Sequence, residues 1–401
     1  MTPDSKILIA GGGIGGLTAS IALAQQGLSA TVLERSHFSE ESGAGIQLGP
    51  NATRLLDRLG LAEAIREVGF RPAGLFIFDG LSGRRLATMP LGAYAEARYG
   101  APYLTLHRAD LHAALYAACK AAEGVTLSPG FDLTGLDLRD RCVSAIAADG
   151  RTAEAPALIG ADGIWSEVRT LIAPEARLAF TGDTAWRTLL PRSELTAPFD
   201  APAVSVWLGP DAHLVHYPVR GGKDLNVVGV TAGGSEARGW NKMGDKADVR
   251  SAFGRWCKEV QSLLDRAEGW RCWSLYRLDG LPSWTSGRIA LIGDAAHPVL
   301  PYLAQGAALA IEDAAALAKS LAEHDGDAPR AFPLYEAARK PRAARVAERS
   351  EKNGARYHMR GAMRLARNFV LRHRAGERLL AGFDWLYAEP DSQSEPRPPR
   401  A

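Results

Sequence analysis

Residues 6–35 read KILIAGGGIGGLTASIALAQQGLSATVLER, and the fold is decided there. Residues 6–10 are a short apolar run, the pattern of a buried parallel strand. Gly11, Gly13 and Gly16 follow in G-x-G-x-x-G spacing. Helix formers then run from Leu17 to Gln26, and Gly27 stands where a helix stops. A second apolar run, residues 30–33, ends in Glu34. The first glycine allows a tight turn, the second admits a pyrophosphate against the backbone, and the third lets helix and strand pack closely. The helix N-terminus offers unpaired N–H groups and a partial positive charge to phosphate. Glu34 can accept hydrogen bonds from an adenosine ribose, and Ile14, Gly15 and Arg35 adjoin the same site. Glycine-rich turns are common, but one set between a strand, a helix and an acid reads as a dinucleotide site. The motif leaves FAD and NAD both open.

The chain has 401 residues, enough for two domains or for one with a large insertion. At 46% hydrophobic and 23% charged it has an ordinary globular composition, and a net charge of +2 gives no argument for nucleic acid. No run approaches the ~18 apolar residues of a membrane span. The first strand begins too early to leave room for a signal peptide, so a cytoplasmic protein is expected. Cys119, Cys142, Cys257 and Cys272 show no C-x-x-C spacing and read as free thiols, with no metal site.

Beyond Glu34 a Ser/Gly-rich loop leads to GAGIQLGPN, where Asn51 is placed to cap a helix ending near Leu59. Residues 72–90 alternate and carry Asp-Gly and Ser-Gly turns, so they read as an antiparallel hairpin. A helix opens at His107-Arg108 and short strands follow to the turn at Gly150. Residues 204–208, 213–219 and 225–231 read as strands of an antiparallel sheet, and 249–267 as one amphipathic helix. The α/β pattern returns at 288–292. The expected organisation is a Rossmann-like α/β domain (1–71, 101–175 and 281–330) interrupted by a substrate domain built on that sheet (72–100 and 176–280). Helices at 331–388 and a disordered Pro- and Ser-rich tail at 389–401 follow. The Arg-rich stretch 339–378 reads as a solvated helical face.

Two further motifs follow in order: Gly160-Ala161-Asp162-Gly163 with Trp165, Ser166 and Arg169, then Gly293-Asp294-Ala295-Ala296-His297-Pro298. With the first motif they resemble the flavoprotein aromatic hydroxylases of the para-hydroxybenzoate hydroxylase class. Within it the chain is most similar to the salicylate, 3-hydroxybenzoate and 6-hydroxynicotinate hydroxylases, over about residues 5–345. The resemblance implies bound FAD, NADH or NADPH as reductant with NADH favoured, molecular oxygen, and a homodimer. Asp294 lies just past a strand end, where a carboxylate can hold the ribityl chain. The loop PYLAQGA, residues 301–307, leads into a helix whose N–H groups at Gly306 and Ala307 would face the flavin pyrimidine. Gln47 is a candidate flavin neighbour. Arg108 resembles the family arginine that contacts FAD, and Asp162 belongs to a motif tied to FAD and nicotinamide use. Many members carry Gly-Gln-Gly before that helix, whereas this chain has Ala304-Gln305-Gly306.

The implied reaction is hydroxylation of a small hydroxylated aromatic acid through a flavin hydroperoxide. Phenolate is the better nucleophile, so a base of near-neutral pKa suits the site. Strand alternation puts His213, Val215 and Tyr217 on one face and His216 on the other. His213 and Tyr217 are the catalytic candidates. Tyr302 and Arg187 are candidates to meet the ring and its carboxylate. A related monooxygenase acting on a larger ring, an NAD-dependent dehydrogenase and a non-catalytic flavin-binding protein remain as alternatives.

Overall fold

The computed structural model describes residues 6–38, 44–234, 236, 239 and 242–389. The reading of a disordered tail therefore lies outside the described residues, apart from Glu389. Strand Ile7–Ala10 sits inside a six-stranded sheet. Leu158–Gly160 and Ala30–Glu34 pair with it in parallel, one on each side. Ile289–Leu291 and Val125–Pro129 extend the parallel order outward. Ile7 and Ile9 have no exposed surface, as strands covered on both faces require. Each such side chain contributes about 2 kcal/mol by leaving water. Helices Ile14–Gln25, Arg108–Ala121 and Gly306–Glu323 pack against one another beside the sheet. A separate three-stranded antiparallel sheet, with Val143 and Ala145 fully buried, shares the main core.

The second large element is an eight-stranded sheet. It is antiparallel apart from one pairing, Val204–Gly209 alongside Gly74–Asp79, which run parallel. One face buries Trp207, Leu214, Val227 and Trp186 under two helices, Lys246–Phe253 and Lys258–Arg266. The single helix expected over 249–267 is thus two, broken at Gly254–Cys257. Trp256 turns there to fill the space above Gly80 and Gly209, and Cys257 starts the next helix.

Helix Ala328–Tyr357 runs for 30 residues, and Gly361–Arg372 follows it. The latter is tied to the large sheet: Arg364 Nη1 donates to Asp79 at 2.5 Å and Asn368 Nδ2 at 3.1 Å. The Arg-rich stretch is not simply a solvated face. Arg339 is buried and bonds Asp313 and Glu312, and Arg342 grips Glu312 at 2.6 and 2.7 Å. Asn51 does not cap its helix either. Gly49 holds the cap position, Pro50 opens the helix Pro50–Arg58, and Asn51 faces inward. Its Nδ2 donates to Gln305 and Glu312 at 3.0 and 2.6 Å.

Candidate active site

The glycine loop is built as its spacing demands. Gly11 has φ +103°, and a Cβ there would lie 2.5 Å from the Ala161 carbonyl oxygen. A Cβ on Gly16 would overlap the Gly11 carbonyl oxygen, so strand and helix meet only because both are glycines. Gly13, by contrast, faces open space, as a seat for a pyrophosphate must. Gly15 faces Ala310 and Ile292 and serves the packing of two helices. Glu34 is pinned by N–H groups of Gly12 (2.7 Å) and Ser36 (2.8 Å), with lone pairs still available to a ribose. His112 Nε2 lies 2.8 Å from the Gly12 carbonyl and steadies the loop from below. Ile14 is buried at the helix start, and Arg35 is exposed.

The second and third motifs converge beside this loop. Asp162 accepts from Ser166 Oγ (2.5 Å) and Val168 N (3.0 Å), so its carboxylate fastens the short helix Glu167–Ile172. Burial pushes its pKa up against those bonds. Arg169 bridges the two motifs, donating to Ala295 O at 2.9 Å and Ile164 O at 2.5 Å. Asp294 differs from Asp162: its carboxylate has no hydrogen bond among the described residues. Burial raises its pKa, while His297, Arg108 and Arg169 pull it down. The carboxylate looks toward the start of helix Gly306–Glu323, with Oδ1 3.8 Å from where a Cβ on Gly306 would stand. No side chain caps that helix start at Gly306 and Ala307. Behind the turn, Asp313 accepts from Gly293 N (3.0 Å) and Arg339 Nε (2.8 Å) and pairs with His297 Nε2 (2.5 Å).

These features fit a flavin dinucleotide. The glycine loop has room for phosphates. An open carboxylate and an uncapped helix end face one gap, and Arg108 lies close enough to bias Asp294. A cavity of about 50 Å³ adjoins Asp294, lined by Trp165, Trp273, Tyr276 and Leu300 among others. A larger hollow, about 420 Å³ on the outer side near Arg141 and Glu154, holds none of these residues.

Across the gap lies the second face of the eight-stranded sheet. His213 pairs in register with Val230, Val215 with Val228, and Tyr217 with Asn226. Val228 in turn pairs with Arg187, so His213, Tyr217 and Arg187 share this face. Tyr217 is buried, and burial pushes its phenol well up, against a hydrogen bond with Gln47. Gln47, on strand Gly45–Leu48, also accepts from the Tyr103 hydroxyl at 2.8 Å. Arg187 is buried with its guanidinium 5.5 Å from the Trp273 ring centre. Tyr302 donates to Asp183 at 2.5 Å, and its ring lies 5.4 Å from that of His213. Burial, with His358 alongside, holds His213 well below the ordinary histidine range. His216 is buried on the far face between Phe199 and Trp207, outside the site.

Several neighbours escaped the sequence reading. Tyr357 and His358 reach His213 from the end of helix Ala328–Tyr357. Nothing in a helical Arg-rich stretch signals that. Asn226 had a signal: it is the one polar residue in the apolar run LNVVGV. Its Oδ1 accepts from Gly45 N at 2.8 Å, and its buried Nδ2 has no partner.

The FAD binding domain family matches residues 4–350, and the chain belongs to it. It is 36% identical over 385 residues to the 3-hydroxybenzoate 6-hydroxylase of Polaromonas naphthalenivorans (strain CJ2), covering 96% of each chain. It is 38% identical over 362 residues to the 6-hydroxynicotinate 3-monooxygenase of Pseudomonas fluorescens, covering 88% of this chain and 92% of that one. Klebsiella pneumoniae HpxO, solved with FAD and uric acid, superposes with a TM-score of 0.84 at 24% identity over 96% of each chain, which establishes the fold. The protein is an FAD-dependent aromatic hydroxylase, a monooxygenase that uses NAD(P)H and oxygen. No helix among the described residues is long and apolar enough to cross a membrane.

Proposed function

We propose that the protein hydroxylates a small aromatic acid that already carries a ring hydroxyl, of the hydroxybenzoate or hydroxynicotinate type. The observation that carries this reading is the shared sheet face: His213, Tyr217 and Arg187 stand on neighbouring register rows opposite the Asp294 gap. Arg187 suits a substrate carboxylate, since a guanidinium binds one bidentately. Burial keeps His213 neutral, so a ring nitrogen is free of charge to accept from the phenol, but it departs from the near-neutral base expected and would hold the proton only in passing. Tyr217 stays protonated because burial raises it, so it donates to and orients the ring oxygen. Tyr302 walls the ring side of the pocket.

FAD, when bound and reduced, supplies the activated oxygen. In this reading Gly11, Gly13 and Gly16 seat its pyrophosphate, Glu34 its ribose, and Asp294 its ribityl chain. Arg108 and Gln47 flank it, and the N–H groups at Gly306 and Ala307 meet the electron-rich end of the ring. Asp162 serves this site through the turn it fastens. NADH is the favoured reductant, and a homodimer, testable by light scattering, is the expected assembly.

The test is NADH and NADPH oxidation by the FAD-loaded protein across hydroxylated benzoates and nicotinates, with product analysis. One acid should stimulate oxidation and yield a hydroxylated product. His213→Ala should lower coupled hydroxylation about 10²-fold or more, and Tyr217→Phe by a smaller factor. Full coupled turnover in both variants would sink the assignment.

A further inference from the structure

What stands behind His213 comes from the other end of the chain. Its Nδ1 lies 2.9 Å from Nε2 of His358, the residue that closes helix Ala328–Tyr357. That is the ring's one hydrogen bond among the described residues, which leaves Nε2 for a ligand. His213 is 3% exposed, whereas His358 is partly open to solvent. Tyr302 and Tyr357 flank His213, with ring centres 5.4 and 5.2 Å away. The arrangement is fixed from both sides. Asp211 N donates to the His358 carbonyl at 3.3 Å, and Arg360 pairs with the Asp211 carboxylate.

We propose that His213 and His358 form a two-step proton path from the substrate hydroxyl to solvent, with His358 as the outer, positioning member. The proposal rests on the reading of His213 as the base. The phenol O–H bond breaks and an N–H bond forms at His213 Nε2. The Nδ1–H of His213 breaks in turn, and its proton goes to Nε2 of His358. His358 then loses its Nδ1 proton to water, and no electrons change hands.

The surroundings make the outward direction downhill. Among the described residues the rings around His213 are those of His358, Tyr302 and Tyr357, and burial disfavours a charge there. His358 is also lowered by burial and by Arg367 from helix Gly361–Arg372. But Asp183, on strand Arg177–Pro191, and Asp211 support a charge on it. A proton entering at His213 therefore moves to the ring beside two carboxylates.

The experiment is stopped-flow mixing of the FAD holoenzyme with 3-hydroxybenzoate in weak buffer, with a pH-indicator dye to read proton release. His358→Gln keeps a hydrogen-bonding side chain but cannot pass a proton through. It should slow release at least ~10-fold while substrate affinity, read from the flavin absorbance change, stays within about twofold. Added imidazole should restore part of the rate. An unchanged release rate in His358→Gln, with His213→Ala impaired, would overturn the path and leave His213 standing. An unchanged rate in His213→Ala would remove the base and the path together. If His358→Gln does not fold, Asp211→Asn takes its place, because Asp211 sits at φ 58°, which Asn tolerates. It should slow release severalfold, because the accepting ring loses one of the two carboxylates that support a charge on it. No slowing would equally overturn the path.

Discussion

Ala304 has φ 52°, a left-handed conformation that costs a residue with a Cβ about 1–2 kcal/mol. The loop that leads into helix Gly306–Glu323 thus holds an alanine against its preference, between Pro301–Leu303 and the buried Gln305. Ala304→Gly removes the strain and adds some freedom to the unfolded chain. We expect a net gain of up to ~1 kcal/mol in urea unfolding, with a looser loop. A loss of stability would mean the alanine methyl makes contacts that outweigh the strain.

Among the elements, helix Ala328–Tyr357 does more than cover the core. Its Arg339 closes a buried chain that runs through Asp313 to the Gly293-Asp294 turn, and Arg342 closes another through Glu312 to Asn51 and Gln305. Arg339→Met should destabilise by about 3–5 kcal/mol, because Asp313 and Glu312 stay buried with one cation fewer between them. The same carboxylate predicts acid sensitivity. Its pKa falls to about 2 despite burial, chiefly through His297 and Arg339. A depressed carboxylate contributes stability above its unfolded value near 4, and the contribution fades as pH drops toward 2. Roughly 2 kcal/mol should disappear over that window, and the loss should be much smaller in Asp313→Asn. Urea midpoints at pH 5 and pH 3, between which about 1 kcal/mol of it should go, would check it.

This is also the scale at which the sequence stopped being readable. The glycine loop, the turn at Gly293-Asp294 and the alternation of His213 with Tyr217 depend on neighbours in sequence, so spacing together with the family resemblance could point to them. Arg339 looked like surface charge because its partners, Asp313 and Glu312, sit on another helix. His358 was silent for the same reason: its distance from His213 is set by how the long helix crosses the sheet, which no local period encodes. The break at Gly254–Cys257 was hidden because the apolar positions of the two short helices stay almost in phase.

For the whole molecule, the cofactor gap as proposed would draw its walls from residues 11–16, 34, 108, 294 and 306, held on two sheets and three helices. A ligand bound there stabilises every part that must be in place to form it. Adding FAD to the stripped protein at a hundred times its Kd should therefore raise stability by about 2.7 kcal/mol. The thermal midpoint should climb with FAD concentration. A midpoint indifferent to FAD would mean the gap does not form the binding site.

The strand order of the parallel sheet also fixes when the molecule can exist during its own synthesis. Ile7–Ala10 leaves the ribosome first, yet one of its two neighbours is Leu158–Gly160, and the next strand out is Ile289–Leu291. At about 5–20 residues per second, the nascent chain carries an unfinished apolar edge for on the order of half a minute. Cells that make this enzyme in quantity are therefore expected to need a holdase on its first half. Slowing translation should cost soluble yield, and co-expressed chaperones should restore it.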